Sequence, residues 1–92
     1  MAVCGGAGSF LLETARASGA DAFITADVTY HQFFDSQGEM LFMDIGHYES
    51  EQFTSEVLRD YLRAKLQETG HSIQARITRG TTNPVRYFTA PR

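Results

Sequence analysis

Ninety-two residues allow one small domain, read as a single unit over 1–92, in which a single core buries a modest share of the surface. Eleven acidic against eight basic side chains leave a formal charge of −3, which gives no general attraction to nucleic acid or to an anionic membrane. A hydrophobic share of 42% marks a folded chain, and one cysteine excludes an internal disulfide and fits a reducing cytoplasm.

Ala2–Cys4 reads as a short buried strand entered at once, as in a piece cut from a longer protein at a strand edge. There is no basic n-region or long apolar h-region, and no apolar run approaches the roughly 20 residues that cross a bilayer. Gly5-Gly6-Ala7-Gly8-Ser9 then turns the chain into a helix over Phe10 to Ser18, with Ser9 as its N-cap. Phe10, Leu11, Leu12 and Ala15 form its inner face, and Gly19 stops it. The glycines could also offer backbone N–H groups to an anion, although they match neither the dinucleotide nor the P-loop spacing.

Asp21 to Thr25 is the second strand, followed by a short helix from Tyr30 to Ser36. Between them, Asp27 or Thr29 can cap that helix. Alternatively, Asp27 can orient a water or a metal-ligating His, and His31 can move a proton. Met40 to Ile45 is the third strand and is almost wholly apolar. One long helix runs from Gly46 to about Glu68, its apolar stripe carrying Phe53, Val57, Leu58, Tyr61, Leu62 and Leu66, with Gly70 as terminator. Ser72 to Thr78 alternates apolar and polar residues as a marginal strand does, and Thr81-Thr82-Asn83-Pro84 is a turn before a short extended piece from Val85 to Thr89. The fold class is α/β: repeated βα units joined by right-handed crossovers, with a mainly parallel sheet covered by helices.

Ligands collect at the carboxyl ends of parallel strands, and Gly5–Ser9, Thr25–His31 and Asp44–Glu51 all fall there. His47 and Glu51 are four apart at the start of a helix, so one imidazole nitrogen and one carboxylate can converge as half of a metal site. The positive end of a long helix would keep His47 neutral and free to ligate. The glutamates also suit a helix N-terminus for dipole reasons alone. Cys4 reads as a small hydrophobe and His71 as a solvated residue past the long helix.

Four blocks occur in order: Ala2-Val3-Cys4-Gly5-Gly6-Ala7-Gly8-Ser9; Gly19-Ala20-Asp21-Ala22-Phe23-Ile24-Thr25-Ala26-Asp27 with Tyr30-His31; Asp44-Ile45-Gly46-His47-Tyr48-Glu49-Ser50-Glu51; and Asn83-Pro84. Together they resemble the C-terminal portion of the GTP cyclohydrolase 1 type 2 homologue family, the dinuclear-metal-centre proteins named for an NGG-interacting factor. The resemblance implies a fragment of a larger two-part α/β protein, with an N-terminal portion as partner and a homo-hexameric parent. It implies two divalent metal ions per intact subunit, with zinc, iron or manganese as candidates, bound weakly or not at all by this segment alone. Its His-x-x-x-Glu motif lands on His47 and Glu51 as metal ligands. Its Thr-Gly-Glu/Asp block lands on Thr25-Ala26-Asp27, with Ala26 in place of Gly. Asp27 and His31 are the catalytic candidates. The function this implies is half of a hydrolase-like metal site of unsettled substrate, inactive in isolation. The alternative is an interaction or oligomerisation module with no activity of its own.

Overall fold

A computed structural model of the chain describes residues 1–91. They form two compact units, one over Met1–Thr54 and one from Ser55 onward. The first holds strand β1 (Ala2–Ala7), a 3-10 turn (Ser9–Leu11), helix α1 (Leu12–Ala17), strand β2 (Ala22–Ala26), a 3-10 helix (Gln32–Ser36), strand β3 (Leu41–Asp44) and helix α2 (His47–Glu51). The three strands lie in the order β1-β2-β3 and both pairings are parallel, so the fold is the α/β arrangement expected.

Register places Ala2 beside Phe23 and Phe23 beside Phe42 on one face of this sheet. Leu12 and Ala15 of α1 and Met40 close over that face, with Cys4, Leu11 and Ala20 packed at its margin. Phe23 on the central strand is 1% exposed, and its ring meets that of Phe42 at a centroid distance of 5.7 Å. Phe10 does not join this core. The chain makes a 3-10 turn before α1 begins, which rotates Phe10 outward and leaves Leu12 and Ala15, three apart, on the inner face. Nor does Ser9 act as a cap, because Gly8 holds that position with no side-chain bond.

β1 runs further than its apolar residues suggest, through Gly5 and Gly6 to Ala7, with a register irregularity between Val3 and Ala7. Glycine in a strand marks such a bulge or a close approach of another group. Thr29 caps the Gln32–Ser36 helix: its Oγ1 accepts from the Gln32 N–H at 3.3 Å while Gln32 Oε1 accepts from the Thr29 N–H at 2.8 Å. This reciprocal pair is a capping box, and it frees Asp27 from capping duty. Thr29→Ala is expected to destabilise the first unit by about 0.5–2 kcal/mol, read from a urea midpoint shift at unchanged slope.

The helix expected from Gly46 to Glu68 is two helices, α2 and α3 (Thr54–Glu68). Gln52 Nε2 donates to the Glu49 carbonyl at 3.3 Å, the acceptor that the N–H of residue 53 would take in an unbroken helix. In the second unit, α3 carries its expected apolar stripe, with Val57, Leu58, Tyr61 and Leu62 all exposed. It ends as predicted at Gly70, whose φ of 73° lets the His71 N–H reach the Leu66 carbonyl and the Gly70 N–H reach that of Gln67. The expected marginal strand at Ser72–Thr78 is not formed: those residues pair with no strand among the described residues. Alternation records a preference for one wet face, but a strand needs a neighbour's backbone to pair with. Asn83 Oδ1 accepts from the Val85 N–H at 3.1 Å, a local side-chain bond, while the backbone turn expected over residues 81–84 is not formed. Among the described residues no helix is long and apolar enough to cross a membrane.

Candidate functional site

The carboxyl ends of the three strands deliver three short segments to one place. β1 ends in its glycines, β2 runs into Asp27, and β3 ends at Asp44 just before α2. Asp27 adopts a left-handed conformation with φ of 54°, a region open to Asp because its short polar side chain can bond locally. Asp44 ties the second and third segments together. Its Oδ2 accepts from the Val28 N–H at 3.0 Å and its Oδ1 from the Gly46 N–H at 2.9 Å. The second bond is an Asx turn that starts α2. One carboxylate therefore fixes the loop carrying Asp27 relative to the helix carrying His47.

His47 lies between two carboxylates. Its Nδ1 is 2.6 Å from Asp27 Oδ2, and its Nε2 is 3.0 Å from Glu51 Oε2. All three side chains are about half exposed, at 50%, 52% and 49% for His47, Asp27 and Glu51. The hydrogen bond and charge of Asp27 raise the His47 pKa above its usual 6.5 against an opposing effect of desolvation, with lesser pushes upward from Glu51. The expectation that the helix end would keep His47 neutral is therefore corrected. α2 is only five residues long, so its dipole is weak beside two adjacent carboxylates.

The sign of the pH dependence follows. A His whose folded pKa is raised adds stability in full below 6.5, and that stability fades as pH climbs through the raised value. In the metal-free chain, NMR titration should place the His47 midpoint above 6.5, and Asp27→Asn should bring it back toward 6.5. An unchanged midpoint in Asp27→Asn would show that the contact does not persist in solution. Salt should reduce the shift, because the groups are exposed.

The other candidates sort as follows. The His31 ring stacks edge-on against Tyr30 at 5.1 Å and makes no hydrogen bond or ion pair with Asp27, His47 or Glu51 among the described residues. Cys4 packs at the margin of the core, as a small hydrophobe does. In the glycine segment, the Gly6 N–H is taken by Ser50 Oγ at 2.8 Å, so it is not turned toward an anion. Among the described residues, no group of three or more His, Cys, Asp or Glu side chains is arranged to hold a metal ion. Sequence reasoning did not assign a role to Asp44. The Asp-x-Gly spacing of Asp44 and Gly46, typical of an Asx turn, was the available signal.

The family model described as Duf34/NIF3 (NGG1p interacting factor 3) matches residues 1–84. A Streptococcus pneumoniae protein named GTP cyclohydrolase 1 type 2 homolog is 33% identical over 89 residues, covering 96% of this chain and 33% of its own length. A Listeria innocua protein of the same name is 38% identical over 69 residues, covering 74% of this chain and 17% of its own. Among solved structures, a Bacillus cereus protein related to NIF3 superposes with a TM-score of 0.85 at 25% identity, over 94% of this chain and 24% of that one. A Staphylococcus aureus hypothetical protein superposes with a TM-score of 0.83 at 29% identity, over 94% of this chain and 29% of that one. The chain thus spans a third or less of the length of these relatives.

Proposed function

The chain belongs to the Duf34/NIF3 (NGG1p interacting factor 3) family, and on that premise we propose that it is the C-terminal part of a metal-dependent, hydrolase-like protein and contributes one His and one Glu to a dinuclear site. The observation that supports this is the pairing of His47 Nε2 with Glu51 Oε2 at 3.0 Å while Nδ1 is held by Asp27. With Nδ1–H donated to Asp27, Nε2 presents a lone pair toward a carboxylate oxygen, and a positive centre between them relieves the repulsion. A proton can serve, and so can a metal ion: ligand atoms about 2.0–2.2 Å from one ion stand about 3 Å apart when adjacent in octahedral geometry and about 3.3–3.6 Å apart in tetrahedral geometry.

His47 and Glu51 would hold the ion, and a mixed nitrogen and oxygen donor set suits zinc, iron or manganese. When bound, divalent metal supplies a more acidic water and polarises a substrate oxygen. Asp27 fixes the His47 ring and its tautomer, the task of the carboxylate behind a metal-bound His. The remaining ligands are assigned to the N-terminal portion of the longer parent protein, and metal binding by this segment alone is expected to be weak. Titrating cobalt(II) and following its visible absorption tests the reading. Glu51→Gln should weaken binding by at least about tenfold, and equal binding by this variant would overturn it.

A second reading, an assembly module, is favoured by the apolar surface each unit leaves open. Val3 is 65% exposed, Leu41 on the same sheet face is also exposed, and α3 presents its stripe of Val57, Leu58, Tyr61 and Leu62 to solvent. Apolar patches of this kind mark surfaces that another chain or segment covers. The N-terminal portion of the parent and further copies in a hexamer are the proposed occupants. Sedimentation velocity should show association that grows with concentration. A monomer over a hundredfold concentration range would remove this reading.

A further inference from the structure

The two peptide groups that flank the Gly6 Cα are each held by a side-chain hydroxyl. The hydroxyl of Thr25, a fully buried residue on β2, donates to the Gly6 carbonyl at 2.9 Å. Ser50 Oγ accepts from the Gly6 N–H at 2.8 Å and donates onward to the His47 carbonyl at 2.9 Å. A line of hydrogen bonds therefore runs from the central strand through β1 to the first turn of α2. Gly6 has φ of 67°, a conformation that side chains other than that of glycine rarely adopt. A Cβ on Gly6 would overlap Glu51 Oε1 and sit 3.3 Å from His47 Cε1, so the Glu51 carboxylate lies directly against bare backbone.

We propose that Thr25, Gly6 and Ser50 are positioning residues that set the Glu51 carboxylate against His47 Nε2, an inference that rests on the metal-site reading of that pair. Three features follow from one function. The missing side chain at Gly6 makes room for the carboxylate, the left-handed turn aims the Gly6 N–H at α2, and the two hydroxyls hold the peptide groups on either side of Gly6 still. Ser50 lies between the two ligand positions in sequence, so its bond to β1 stops α2 from rotating or sliding away from the strand. Held this way, the ligand pair keeps its geometry before any ion arrives, which lowers the cost of binding.

The test uses the 92-residue chain with two readouts. In the metal-free protein, the side-chain 15N shifts of His47 report whether Glu51 still faces Nε2. Cobalt(II) affinity reports on the metal. Ser50→Ala should move the Nε2 shift and weaken cobalt binding by about 10- to 100-fold, the usual effect of losing a group that orients a ligand. Ser50→Thr, which restores the hydroxyl, should recover both. Gly6→Ala should behave like Ser50→Ala or worse, with sheet amide shifts verifying that the fold persists. Should Gly6→Ala fail to fold, the Ser50 pair decides the matter. Wild-type 15N shifts in a folded Ser50→Ala overturn the clamp, as does failure of Ser50→Thr to restore them. Cobalt binding undiminished in His47→Ala removes the metal reading instead, and the clamp then stands or falls on the nitrogen shifts.

Discussion

Replacing Phe23 with Ala should leave the first unit, Met1–Thr54, largely unfolded at 25 °C. Phe23 is 1% exposed at the middle of the central strand, where it touches the helix side of the core and the Phe42 ring. Truncating a buried Phe typically costs about 3–5 kcal/mol, through lost burial and the cavity left behind. The core that holds Phe23 lies in the unit Met1–Thr54, and a single core in a unit that short seldom supplies more than about 3–5 kcal/mol in total. The substitution therefore removes most or all of the stability. Val3→Ala, one residue along from Ala2 on the opposite and open face, should shift stability by no more than about 0.5 kcal/mol. Far-UV circular dichroism under urea compares the two. A folded Phe23→Ala with a midpoint near wild type would mean that the packing around β2 is not what holds the sheet.

His47→Ala should cost more than about 100-fold in cobalt or zinc affinity, and Asp27→Asn about 10- to 100-fold. The two effects differ because the two residues act differently. Removing His47 deletes the only imidazole at the site among the described residues and leaves Asp27 and Glu51, a pair of hard oxygen donors better suited to magnesium or calcium. Removing the Asp27 charge leaves the nitrogen ligand in place but unfixes its ring and tautomer. Direct cobalt(II) titration, followed by visible absorption and suited to a weak site, gives both numbers. Equal losses in the two variants would assign Asp27 a direct place on the metal. No loss in His47→Ala would end the metal assignment.

Much of this was legible in one dimension. Short apolar runs separated by helical patterns announced a parallel sheet, and they did so because a strand buried between helices leaves few positions for polar residues. His47 and Glu51 could be paired from their spacing, since four residues bring two side chains onto one face of any helix. Gly70 could be read as a stop because a left-handed turn after a helix favours glycine. Helix phase was harder. A 3-10 turn of three residues before α1 was enough to turn Phe10 from core to surface, and no periodicity over so few positions predicts it. Likewise, the break after α2 coincides with a Gln52 side-chain amide bonded to the Glu49 carbonyl, a detail that residue spacing does not reveal. The Ser72–Thr78 segment has the pattern of a strand but no partner among the described residues, and a pattern carries no information about the partner's location.

By itself, then, the sequence determined the order of the βα units, the parallel sheet, the family, and the pairing of His47 with Glu51 on one helical face. These are local properties: they follow from residue type and spacing along the chain. Only the tertiary structure decided that Asp27, not a helix cap but a neighbour of His47, holds the ring, and that His47 is drawn toward protonation. Only it showed that the bare backbone of Gly6 lies under the Glu51 carboxylate. Those facts join residues 20 and 45 positions apart, and such distances are closed by the strand register and the turn at Asp44 rather than by any local preference.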